Sequence, residues 1–137
     1  MDEPRRPWGG ATRLDPDVLV YRALWDARHL KGHLRYRAFI RKEKDKDGLS
    51  IANASVCSPE EFCATFIRCF GTFTLSVGGV RSVGLDVIPD TEPDAEHPCD
   101  HGAITGLPFQ EINPEDAEYL ATELKNQVLD VWDSKAT

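Results

Sequence analysis

The chain has 137 residues, 41% of them apolar, which suits one domain with a hydrophobic core of its own. Its net charge of −7 divides into +4 over residues 1–50 (12 Lys/Arg against 8 Asp/Glu) and −11 over residues 51–137 (4 against 15), so even coating of a nucleic acid is excluded. No apolar run is long enough to span a membrane, and MDEPRRPWGG has no apolar stretch behind its arginines, so the sequence predicts no membrane anchor and a cytoplasmic location.

Residues 1–13, rich in Pro, Gly and Arg, are expected to form a flexible tail, with 14–137 as a single globular domain. Val18–Leu24 (VLVYRAL) is β-branched and aromatic and predicts a strand. WDARHLKGH follows as a loop or a single helical turn. In LRYRAFIRK, Leu34, Tyr36, Ala38 and Ile40 alternate with Arg35, Arg37, Phe39 and Arg41, which predicts a second strand with a basic face. EKDKDG supplies a turn at Asp47–Gly48, so 34–54 is expected to be a hairpin.

SPEEFCATFIRCFG then carries helix signals. Ser58 caps, Pro59 takes the first turn, Glu61 completes a capping box, and Gly71 stops a helix predicted over 58–70. Gly78–Gly79 reads as a hairpin turn before the alternating Val83, Leu85 and Val87, and HGAITGLPF as a last strand. Asn113 and Pro114 start a second helix, predicted over 113–133 on an apolar stripe that includes Ala117, Leu120, Ala121, Leu124, Val128 and Val131. The sum is an α+β domain, a mostly antiparallel sheet with two packed helices.

Cys57, Cys63, Cys69 and Cys99 include no CxxC spacing, and in a cytosolic chain they are expected to be reduced. His97, Cys99 and His101 would share one face of an extended segment, which makes them a secondary candidate for a metal, though no matching second half of a site is present. His101 alone is the stronger candidate, a histidine placed where an acidic loop becomes a strand and able to act as general acid or base.

Between Arg28 and Lys46 stand eight basic residues and two acidic ones, with Tyr36 among them. Alternate arginines can fork onto phosphate, and an aromatic ring can stack a base. Arg22, inside an apolar strand, requires a specific partner. Ser50 lies in no GxSxG turn, and no dinucleotide, P-loop or HExxH motif occurs, so neither a serine nucleophile nor a bound cofactor is predicted.

The order of these features resembles a group of small, uncharacterised bacterial proteins that have an early Arg, an aromatic-containing strand, an LS strand, a VRxxGLxV run and a late HxxIxGL strand. Here these are Arg22, AFIRKEKDKDGLSI, VRSVGLDV and HGAITGL, spanning about residues 18–108. The resemblance implies no particular activity and draws attention to Arg22, Phe39, Ser50 and His101. The expected function is an anionic-ligand site for phosphate, nucleotide or RNA. His101, Arg22 and Arg37 would form its chemical centre, as in a His-dependent ribonuclease or transferase, and Arg35, Tyr36 and Ser50 would be its ligand contacts. The alternative is a non-catalytic module whose basic strand and acidic helix meet a partner protein, or each other in a homodimer.

Overall fold

The computed structural model describes residues 6–91 and 97–135. Six strands form one antiparallel sheet: β1 Leu19–Leu24, β2 Leu49–Asn53, β3 Gly71–Ser76, β4 Asp86–Pro89, β5 His101–Thr105 and β6 Asp130–Asp133, in the order β4-β5-β2-β1-β3-β6. Three α-helices, α1 Pro59–Cys63, α2 Val77–Ser82 and α3 Pro114–Lys125, and several 3-10 turns complete an α+β fold.

The pleat sorts the side chains onto two faces. Val20 and Leu24 of β1, Leu49 and Ile51 of β2 and Phe73 and Leu75 of β3 form the main core beneath Phe39, Val80, Ala121 and Leu124. Tyr21, Ala23 and Ala52 point the other way into a smaller cluster with Phe62 of α1 and Cys99. Tyr21 stacks on Phe62, with ring centroids 5.8 Å apart. Arg22 alternates onto the main-core face, and Ser50 and His101 onto the α1 face.

Several expected elements take another form. The basic strand over 34–42 is a 3-10 helix, Gly32–Phe39, so the 34–54 hairpin does not form. Phe39, on the polar side of the alternation, is fully buried, and with three residues per turn Tyr36 and Phe39 both reach the core. The helix predicted over 58–70 keeps its capping box but ends at Cys63. Beyond it Ile67 is fully exposed, so no surface rewards another helical turn, and Phe70 N–H donates instead to Leu24 O.

Gly78 and Gly79 lie inside α2, whose start is capped by Ser76 accepting from Gly79 N–H, and are not a hairpin turn. The helix predicted over 113–133 stops at Lys125, and Val131 passes into β6. There it pairs with Phe73, so residues 130–133 satisfy the open edge of β3.

The cysteines are paired as Cys57–Cys99 and Cys63–Cys69, against the expectation of free thiols. Their spacing is unlike any sequence motif because the first bridge joins residues that only the sheet brings together. The expected tail is likewise docked from residue 6. Trp8 is buried, its backbone N–H donates to Asp100 Oδ2 at 2.9 Å, and its indole N–H donates to His101 O at 2.8 Å. The first five residues lie outside the described residues.

Candidate functional site

Two side-chain groups stand out, one on each face of the sheet. On the α1 face, β2, β5 and the residue that follows β4 bring together Ser50, His101 and Asp90. Ala52 pairs with His101 and Ser50 with Ala103, so Ser50 and His101 are diagonal neighbours. His101 Nε2 lies 3.2 Å from Ser50 Oγ, and Nδ1 lies 3.7 Å from Asp90 Oδ2. Asp90 N–H donates to His101 O, which fixes their register.

The entry to β5 is held firmly. Asp100 adopts a left-handed backbone (φ 53°), and its Oδ2 accepts from Trp8 N–H and Asn53 Nδ2. The Cys57–Cys99 bridge ties the preceding residue to the start of α1. His97 Nδ1 accepts from Cys99 N–H at 3.1 Å, and the His97 and His101 rings are 6.5 Å apart. Burial, and then the neighbouring His101, hold the His97 pKa below its ordinary value, so this ring is neutral at neutral pH.

His97, Cys99 and His101 therefore form no metal centre. Cys99 sulfur is bonded to Cys57, and the left-handed turn at Asp100 breaks the shared face on which that expectation depended. Among the described residues, no group of three or more His, Cys, Asp or Glu is placed to hold a metal ion.

Arg22 goes to the opposite face and is buried. The β1–β2 register comprises Val20 with Asn53 and Tyr21 with Ala52; past it, Arg22 Nη1 donates to Ser50 O and Nε to Ala38 O, both at 2.9 Å. Burial lowers its pKa to about 10, so it stays charged. Arg22 is thus a positioning residue that joins β1, β2 and the 3-10 helix. Its guanidinium lies 4.4 Å from the centroid of the Trp25 ring, which is 42% exposed.

Trp25 opens onto a cleft of about 320 Å³, shaped by Tyr36, Arg37, His29, Lys42 and Lys44 among others. The loop after the 3-10 helix that carries Lys42 and Lys44 is clipped by Arg41, which donates to the carbonyls of Asp45, Lys46 and Leu107 and lies 4.0 Å over the Phe109 ring. Arg28 is committed to Asp26, and Asp45 Oδ2 accepts from Lys42 N–H. Among the described residues, Arg37, Lys42 and Lys44 form no ion pair. His29 is 8% exposed, meets Trp25 edge-on, and its Nδ1 has no partner among the described residues. Burial, with Arg22, Arg28 and Arg37 nearby, lowers its pKa against the pull of Asp26.

Of the expected site residues, Tyr36 and Arg37 meet in the cleft, and Ser50 meets His101 across the sheet. Arg22 lies behind the cleft. Arg35 turns away, donating to Leu30 O and bordering a separate recess with Lys125 and Asp130. Sequence reasoning missed Trp25 and Asp90, and it noted His29 only as part of the basic Arg28–Lys46 stretch. Asp90 left a trace as the acid that closes VIPD beside a later strand starting with histidine. Compared with family models, curated proteins and solved structures, the chain matches none.

Proposed function

We propose that this protein binds a small phosphate-bearing ligand with a planar ring, of the nucleotide class, in the Trp25 cleft. The observation that carries this reading is the set of three cations, Arg37, Lys42 and Lys44, that form no ion pair among the described residues, beside an exposed indole. The guanidinium of Arg37 suits a bidentate phosphate contact. Trp25 offers a stacking surface, and stacking on an aromatic contributes about 1–3 kcal/mol per base. Neutral His29 adds ring nitrogens without adding repulsion.

The cleft reads as a binding site. His101, the expected proton carrier, lies on the other face of the sheet, which argues against a ribonuclease or transferase built from His101 and the arginines. The basic 3-10 helix and the acidic α3 pack together through buried apolar residues and keep most of their charged side chains exposed, so an interaction module that meets a partner protein through those charges is the second reading. The pairing of all four cysteines favours an oxidising compartment over the cytoplasm.

Calorimetric titration with nucleoside mono-, di- and triphosphates, and with inorganic phosphate, tests the proposal. We expect a nucleotide to bind more tightly than phosphate, with affinity falling as salt rises. An Arg37→Ala/Lys44→Ala double variant should weaken binding at least tenfold, about 1.4 kcal/mol. Absence of binding by all of these ligands, or equal affinity for the double variant, would refute it.

A further inference from the structure

The Ser50–His101–Asp90 row has no part in the cleft, and its chemistry is of another kind. We infer that Ser50 is a nucleophile, His101 its general base and Asp90 the carboxylate that orients the imidazole, so that the α1 face hydrolyses small carboxylic esters. Such an arrangement is recognised by geometry and roles rather than by a local sequence motif.

The tethering is specific. His101 presents Nε2 to Ser50 Oγ at 3.2 Å and Nδ1 to Asp90 Oδ2 at 3.7 Å, so each ring nitrogen has its own partner. The second distance is an ion-pair distance, and such contacts tighten when the reacting complex forms and the imidazole takes up a proton. Ser50 Oγ is exposed, while its backbone is held by the β5 ladder and by Arg22 at its carbonyl. Ser50 and His101 come from paired strands, and Asp90, one residue past β4, is held against β5 by its backbone N–H to His101 O.

The surroundings select the substrate class. Ile88, 49% exposed, pairs with Ala103, and Ala103 pairs with Ser50, so an apolar shelf extends from the nucleophile toward the sheet edge. An apolar acyl group fits this shelf. Asp90 places a carboxylate beside His101, which disfavours phosphodiesters, while the Asp86 carboxylate is paired with Arg81. His97 accepts at Nδ1 from Cys99, so its neutral form carries its proton on Nε2 and is a hydrogen-bond donor beside the row.

The reaction balances with water as the only co-reactant. Ser50 Oγ attacks the ester carbonyl carbon while its proton moves to His101 Nε2. The carbon–oxygen bond to the alcohol breaks, and the alcohol leaves with that proton. Water, deprotonated by His101, then attacks the acyl-serine. The acid departs, and the proton on Nε2 returns to Ser50.

The test uses the full chain with its disulfides intact. A fluorophosphonate probe followed by peptide mass spectrometry should place the adduct on Ser50, and p-nitrophenyl acetate should give steady release of nitrophenolate. Ser50→Ala should abolish both, and His101→Gln should slow labelling and turnover at least 100-fold, within the range of general-base catalysis. Asp90→Asn should slow them at least tenfold. Circular dichroism and thermal melting confirm that each variant is folded. Wild-type protein that leaves Ser50 unlabelled overturns the inference without any variant, as does labelling at Ser50 that a folded His101→Gln protein matches in rate.

Discussion

Replacing Arg22 with methionine separates a scaffold role from a chemical one. Methionine fills most of the arginine stem but cannot donate. Ala38 O, which is buried, loses its charged donor, and Ser50 O, which is partly buried, loses the other. An acceptor stranded in the interior costs about 1–3 kcal/mol, so the first contributes about 2 and the half-solvated second about 1. Relief from burying a charge, visible in the pKa lowered to about 10, works in the opposite direction and limits the loss. The expected destabilisation is therefore at most about 3 kcal/mol, still a large part of the roughly 5–15 kcal/mol typical of a domain. At about 3–5 °C per kcal/mol for this chain length, the melting temperature should fall by up to about 15 °C. Urea unfolding followed by circular dichroism at pH 7.5 measures it. A loss below about 1 kcal/mol would show that the carbonyl contacts do not hold β1, β2 and the 3-10 helix together, and the positioning role would fail.

Three further outcomes follow from the fold. Removing Cys57–Cys99, which closes 42 residues, should cost about 4 kcal/mol, and removing Cys63–Cys69, which closes six, about 2 kcal/mol by chain entropy; double-alanine variants compared by urea midpoint check the order. His29 and His97 both have pKa values held below 6.5, so the unfolded chain takes up protons first as pH drops. Stability from these groups is complete above pH 6.5 and declines below it, down to their folded pKa values. Urea midpoints that are flat from pH 8 down to pH 5 in wild type would contradict it. Gly48 precedes β2 with φ +114°, and a Cβ there would strike the Ile104 carbonyl, so Gly48→Ala should cost about 2 kcal/mol or more and disturb the Ser50 strand, as amide exchange of β2 would report.

Parts of this molecule were legible one residue at a time. Val18–Leu24 announced β1, the Ser58 capping box announced the start of α1, and Asn113–Pro114 announced α3, because caps and β-branched runs act through neighbours in sequence. Their ends were not legible. Where α1 stops depends on what Phe66 and Ile67 have to pack against, and where α3 stops depends on β3 having an open edge for residues 130–133. The alternating LRYRAFIRK is ambiguous for the same reason, since only the core decides that Phe39 goes inward.

The sites divide along the same line. The sequence alone supplied the residue types, a basic segment with Tyr36 and a histidine at a strand start. Which of them meet was decided by strand order, because β5 lies beside β2 and β4, and so sets His101 between Ser50 and Asp90 across 51 residues of chain in one direction and 11 in the other. Pleat parity decided the rest. Adjacent residues of a strand point to opposite faces, so Arg22 and His101 went to opposite sides of the sheet, and the residues that looked like a single anion site in the sequence separated into two groups on opposite faces.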